Sequence, residues 1–166
     1  MKKIIIASPI PDSLINFRGD LIQEIKIKGC KVITVSPSLS NEYVDIFKKK
    51  KISHIPINFQ KNKINPINDF ILFINFFKIF KKQSPDIILL YAIKPVIWGG
   101  LATKFFKTNF FALITGLGFA FQGTSFKRKL LTKIVIFLYR AALKKSKAVI
   151  FQNKDNLNLF VDKGIV

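Results

Sequence analysis

Apolar residues in this chain fall into short continuous runs that alternate with longer stretches of helical period, and that alternation predicts the fold before any single residue does. Ile4-Ile5-Ile6 lies in a strand expected over 3–7. A helix over 17–28 follows, closed by Gly29 where a left-handed residue commonly ends a helix, and 32–36 reads as the second strand. A short helix over 42–50 and a third strand over 52–57 come next. Asn65-Pro66 opens a helix running to residue 83, because Asn satisfies free amides at the N-cap and Pro is preset for the first helical position. Residues 86–91 form the fourth strand, 95–106 a helix, 110–114 the fifth strand and 126–145 a long basic helix. A sixth strand over 148–152 and a helix over 154–163 complete the series. Strands separated by helices pair in parallel through crossovers, so the expected class is α/β: a Rossmann-like parallel sheet of about six strands with helices on both faces.

A chain of 166 residues allows one domain, and 49% hydrophobic residues with 18 Phe exclude a disordered polymer. No repeat, linker or low-complexity tract interrupts it. The single Cys30 excludes an internal disulfide and a multi-cysteine metal site, which fits a reducing compartment. Met1-Lys2-Lys3 has the basic start of a signal peptide, but Ser8, Pro9, Pro11 and Asp12 end the apolar run short of the roughly 7–15 residues that such a segment needs. Residues 108–126 carry no charge, yet Asn109, Gly116, Gly118, Gln122 and Gly123 break them as a membrane span. A cytoplasmic protein is expected.

The formal charge of +19 has two sources to weigh. A basic surface attracts phosphates of lipid or nucleic acid; equally, Lys, Ile, Asn and Phe share A/T-rich codons, so composition alone raises the charge. The Lys48 to Lys51 run reads as a solvated helix end rather than a nucleic-acid patch. Two helices are basic and amphipathic. One carries Phe70, Phe73, Phe77 and Phe80, widened by Ile71, Ile74 and Phe76, with Lys78, Lys81 and Lys82 near its end. Its apolar face fits either a core against a sheet or a membrane interface. The other carries Lys127, Arg128, Lys129, Lys133, Arg140, Lys144 and Lys145.

Catalytic constellations are scarce. His54 is the only histidine and sits in a strand, so it reads as structural and no zinc site can be built on it. Asp12, Asp69 and Asp86 lie near strand or helix starts, where carboxylates cap, and no carboxylate pair stands out. There is no Walker motif, and Gly116-Leu117-Gly118 lacks the third glycine of a dinucleotide fingerprint. Its setting is more informative: Ile114-Thr115-Gly116-Leu117-Gly118-Phe119 follows a strand and precedes a helix, the place where open α/β sheets bind ligands.

Four segments at strand ends extend this. Asn16-Phe17-Arg18, Tyr91-Ala92-Ile93-Lys94-Pro95, residues 114–121 and Phe151-Gln152-Asn153 together resemble glycosyltransferase family 4, and more closely its bacterial members that build undecaprenyl-diphosphate-linked glycans for capsule, exopolysaccharide, O-antigen or protein glycosylation. The resemblance covers essentially the whole chain. It implies one half of a GT-B architecture: residues 1–166 as the N-terminal, acceptor-side domain, with the C-terminal nucleotide-sugar domain absent. A truncated product or excised domain is expected, with a split enzyme as the alternative.

The same resemblance implies a retaining hexosyltransferase without a protein-bound metal or cofactor, using a UDP- or GDP-sugar as co-substrate and inactive without its donor-binding half. The implied partners are a lipid-linked sugar acceptor, an anionic membrane surface and the second domain, at the inner face of the plasma membrane; nucleic acid is not among them. Asn16, Arg18, Lys94, Thr115, Gly116, Gly118 and Asn153 are the acceptor or phosphate candidates. The membrane-surface candidates are Phe73, Phe77, Lys81, Lys82, Lys127, Arg128 and Lys129. Thr115-Gly116 stands where many members carry a histidine, and Pro9, Pro11 and Ser13 replace a common Gly-Gly pair, so no catalytic base is identified. The alternatives are a non-catalytic remnant or binding module on a membrane and, third, a basic nucleic-acid-binding protein, for which no motif is present.

Overall fold

The isoleucine run at the start of the chain is buried on both sides, Ile5 and Ile6 completely, as befits the middle of a parallel sheet. The computed structural model describes residues 1–58, 65–116, 121 and 125–166. Among these, the strands are β1 (Lys3–Ala7), β2 (Lys31–Ser36), β3 (Ser53–Pro56), β4 (Ile87–Tyr91), β5 (Asn109–Ile114) and β6 (Ser146–Phe151). They form one sheet in the order β3-β2-β1-β4-β5-β6, with every neighbouring pair parallel. The α/β class and the Rossmann-like parallel sheet follow the sequence pattern.

The pleat sends alternate side chains to two cores. On one face Ile4, Ile6, Val32, Tyr91 and Leu113 meet Leu14, Ile22 and Phe47 of the helices α1 (Ser13–Asn16), α2 (Gly19–Ile27) and α3 (Asn41–Lys49). On the other, Ile5, Ala7, Ile88, Leu90, Phe110 and Ala112 meet α4 (Pro66–Gln83), α5 (Gly100–Thr103), α6 (Phe126–Leu143) and α7 (Lys154–Asp162). Asn65 caps α4 as expected, its Oδ1 accepting from the amides of Ile67 and Asn68 at 3.0 and 3.2 Å.

Two helices differ from the pattern. The 17–28 helix is found as α2, and a separate helical turn, α1, precedes it across Phe17-Arg18, where Ser13 is tied into a hydroxyl cluster. Asn16 therefore ends α1 and caps nothing downstream. The 95–106 segment becomes a π-helical turn (Pro95–Gly99) and then α5. A Cβ on Gly99 would lie 2.6 Å from Leu90, and one on Gly100 would lie 3.0 Å from Phe110 and 3.1 Å from Ala142, so the glycine pair lets this segment settle onto β4, β5 and α6.

Cations close four helix ends. Lys26 donates to the Lys50 carbonyl after α3, Lys3 to Gln83 of α4, Lys145 to Thr103 of α5 at 3.1 Å, and Arg140 to the Lys163 and Gly164 carbonyls after α7. Each satisfies orphan carbonyls and faces the negative end of a helix dipole, contributing about 0.3–1 kcal/mol.

The aromatic face of α4 is divided rather than uniform. Phe76 and Phe80 are fully buried, Phe73 and Phe77 are half-buried against Phe105 and Phe106 with ring centroids 5.2–6.2 Å apart, and Ile67, Phe70 and Ile71 are exposed. Lys81, Lys82, Lys127 and Lys129 are exposed and Arg128 is half-buried.

His54 is half-buried beside Phe47, with Nδ1 3.1 Å from the Thr34 hydroxyl, and burial holds its pKa below the ordinary value. A base whose folded pKa is depressed contributes stability when neutral and loses it as pH falls through the unfolded value of about 6.5. Thermal melts between pH 7.5 and 5 should show that loss, reduced in His54→Gln. Gly100→Val should destabilise by about 1–3 kcal/mol in urea titrations, through overpacking against Phe110 and Ala142.

Candidate functional site

Strand order reverses between β1 and β4: the chain leaves β1 towards β2 and β3, and resumes on β1's other side with β4. The connections therefore diverge beyond the carboxyl ends of these two strands, which opens a crevice there. Ser8 follows β1 and Tyr91 ends β4, so parallel pairing brings them to the same edge.

Their hydroxyls meet through Ser13. The Ser8 and Ser13 Oγ atoms are 2.8 Å apart and Ser13 Oγ is 2.9 Å from the Tyr91 hydroxyl; Ser8 and Ser13 each also reach the Ile10 carbonyl, at 2.9 and 2.6 Å. All three residues are buried. Burial raises the Tyr91 pKa, opposed by hydrogen bonds from Ser13 and Ser8 and by the charge of Arg18. Tyr91 is thus a neutral hydrogen-bonding group and no base at physiological pH.

Arg18 lies over this cluster, its guanidinium carbon 5.3 Å from the centre of the Tyr91 ring. That distance suits a cation–π contact. One Nη donates to the Phe17 carbonyl at 2.8 Å, while Nε is buried without a hydrogen-bond partner. A buried unpaired donor costs about 1–3 kcal/mol, more when charged. Asn16 is exposed at the end of α1 and donates to the Tyr43 hydroxyl at 3.1 Å.

Lys94 lies just beyond β4, at the start of the π-helical turn. Its ammonium is 2.7 Å from the carboxylate of Asp69, with both side chains largely covered, at 15% and 13% exposure. Asp69 stands in the first turn of α4, which the Asn65 cap holds in place. The carboxylate that the sequence marks only as a helix-start residue therefore fixes the candidate lysine. Asp86, by contrast, accepts from the Lys3 amide at 2.7 Å, and the Asp12 carboxylate makes no capping bond.

Thr115 and Gly116 are half-buried past the end of β5, beside β4, and a Cβ on Gly116 would meet nothing within 4 Å among the described residues. Gly118 lies outside the described residues. Asn153 caps α7, its Oδ1 accepting from the Asn156 amide at 2.8 Å, two strands away from β4. The structure thus gathers Arg18 with Tyr91, and Lys94 with Asp69, at the same sheet edge, and gives Asn153 a capping role farther along it. Ser8, Ser13 and Tyr91 are polar residues to which the sequence reading gave no role at the site, although it quotes Tyr91 in a motif; a serine directly after β1 and a tyrosine closing β4 were the available signal.

The family model described as glycosyl transferase 4-like matches residues 13–153. A glycosyltransferase from Rickettsia africae shares 23% identity at a TM-score of 0.67, over 99% of this chain and 40% of that one. Sucrose-phosphate synthase from Thermosynechococcus elongatus shares 12% identity at 0.68, over 98% and 45%. The UDP-GlcNAc 2-epimerase of Methanocaldococcus jannaschii shares 17% at 0.61, over all of this chain and 43% of that one. These likenesses show the fold, and the chain spans less than half the length of each of these structures. No curated protein matches it. With the family match running from α1 to the cap of α7, across the crevice and the segments around it, the chain belongs to the glycosyl transferase 4-like family and has the fold of one half of a GT-B enzyme.

Proposed function

We propose that the chain is the acceptor-side half of a retaining glycosyltransferase that moves a sugar from a UDP- or GDP-sugar to a lipid-linked saccharide, in the assembly of cell-surface polysaccharide or glycan. The observation that carries this reading is Arg18 at the switch point, its guanidinium seated on Tyr91 and bonded, among the described residues, to the Phe17 carbonyl alone. An acceptor diphosphate supplies the oxygens such a guanidinium lacks, in charge-assisted bonds about twice as strong as neutral ones. Lys94 brings a second cation to the same edge, and Asp69 keeps its ammonium in place.

The Ser8, Ser13 and Tyr91 hydroxyls stiffen the floor beneath Arg18, so the cation is held before the acceptor arrives. Asn16, exposed at the end of α1, would hydrogen-bond a saccharide hydroxyl, and Gly116, with no side chain of its own, would let a sugar ring come close. The nucleotide-sugar would be held by a donor-binding half, from a further segment or a partner chain, and transfer needs both halves. The lipid on the acceptor places the reaction at the inner face of the plasma membrane.

Titration with a short-chain undecaprenyl-diphosphate-sugar is expected to show binding that Arg18→Ala weakens about tenfold. Lys94→Ala should weaken it similarly, while Asp69→Asn should leave it intact or tighter. If Lys94 is only structural, Lys94→Ala and Asp69→Asn will instead lower the melting temperature alike and leave binding unchanged. With a donor-binding half added, a panel of UDP- and GDP-sugars should give transfer to the same acceptor. Binding without transfer would favour a binding module, and no binding at all would overturn the proposal.

A further inference from the structure

The sheet has two edges, and they are unlike. At one, β3 has four residues and ends in Pro56, which has no N–H to offer a further strand. At the other, β6 has six residues and no proline, and among the described residues it pairs with β5 alone. Lys147 is an extra residue in that pairing, since Phe110 and Phe111 lie opposite Ser146 and Ala148. The regular edge is therefore 148–151, an apolar run whose outward amides and carbonyls bond to no described backbone group.

The side chains beside this edge are apolar as well. Val149 and Phe151 pack into the core under α6 and α7, whereas the pleat turns Ala148 and Ile150 to the other face, where both are exposed, Ile150 at 46%. Over β6, Asn156 and Phe160 form the buried side of α7, and Leu159 on one flank joins the same core. Leu157 and Val161 stand four residues apart on the opposite flank, 39% and 54% exposed. With the Leu159 flank turned to the core, the Leu157 and Val161 flank is turned to the free edge of β6.

We propose that this edge pairs with the same edge of a second copy, β6 antiparallel to β6, so that the two six-stranded sheets become one across a twofold axis. Opposed residues of an antiparallel pair share a face, so the axis passes through a residue and not between two. Centred on Ile150, it sets that exposed side chain against the partner's Ile150, and Val149 against the partner's Phe151. The α7 helices then run antiparallel, with Leu157 beside the partner's Val161. The Lys154-Asp155 end of one α7 meets the Asp162-Lys163 end of the other, and each end carries both signs of charge. The two Lys147 side chains start roughly 20 Å apart, at about 3.4 Å per residue, well beyond the screening length of about 8 Å in physiological salt. A second copy thus supplies a strand for the open backbone, an apolar neighbour for Ile150 and an apolar flank for Leu157 and Val161 together. The two crevices come to opposite ends of the joint sheet, each with its own Arg18 and Lys94. The inference stands on β6 and α7 and does not depend on the sugar-transfer reading.

The test is sedimentation of the 166-residue chain between about 1 and 100 µM, joined to cross-linking. A dimer is expected, tightening as salt rises because two chains of charge +19 repel at long range. Leu157→Lys with Val161→Lys should weaken it about tenfold or more, by setting like charges across the axis. In a Cys30→Ser background, Ile150→Cys should oxidise to a covalent dimer, since directly opposed Cα atoms lie about 4.5–5.5 Å apart, within disulfide reach. Asp20→Cys, on exposed α2, should stay reduced far longer. All these positions but Cys30 are exposed, and circular dichroism would verify that the variants fold. A monomer across the whole range would overturn the proposal, as would a dimer indifferent to the two lysine substitutions or cross-linking as fast at position 20 as at 150. Particles that grow without a fixed size would show open-ended addition of strands and would also overturn the twofold pairing. None of these readouts involves a saccharide or a nucleotide-sugar, so failure here and failure of sugar transfer are separate results.

Discussion

Everything at the candidate site depends on the pairing of β1 with β4. Ile5, Ile6, Ile88 and Leu90 are fully buried, so these strands are covered on both faces and their register is strongly specified. A slip of one residue in β4 would send Tyr91 to the opposite core and separate it from Ser8. The hydroxyl cluster, and Arg18 above it, are therefore consequences of apolar burial several residues away. The geometry of the candidate site begins as a packing problem.

Charge is used in three distinct ways. Lys3, Lys26, Arg140 and Lys145 hold backbone carbonyls at helix ends and contribute to the fold. Arg18 and Lys94 are brought to the crevice edge, one resting on an aromatic ring and the other paired with a carboxylate. The lysines of α6 accompany an exposed apolar stripe. A bulk excess of +19 cannot distinguish these uses, since each cation's surroundings decide whether it caps, binds or faces solvent. The compositional and functional explanations of the charge are thus compatible within one molecule.

Two halves of one fold divide the labour between the faces of the sheet. The α1 to α3 side builds the floor under Arg18, because Tyr91 and Leu14 share that core. The α4 to α7 side carries Asp69 and the exposed stripe, because the crossovers from β3, β4 and β5 all pass over it. The two candidate cations meet only at the edge where both faces end.

The sequence by itself determined the alternation of strands and helices, the Asn65-Pro66 start of α4, the Gly29 end of α2 and the class of the sheet. Those features rest on local periodicity and on backbone preferences that a residue carries wherever it sits. Tertiary structure alone decided that Ser13 reaches Tyr91, 78 positions away, and that Asp69 fixes Lys94. It also added the separate turn α1 ahead of α2, where Ser13 bonds to the end of another strand. The amphipathic helices show the same division most clearly. Their periodicity was legible, but which phenylalanines face water was not: Phe73 and Phe77 are half-covered because Phe105 and Phe106 follow α5 to that place, while α6 keeps a second apolar side that no neighbour among the described residues covers. Burial is a property of the partner as much as of the residue, and the partner is supplied by the fold.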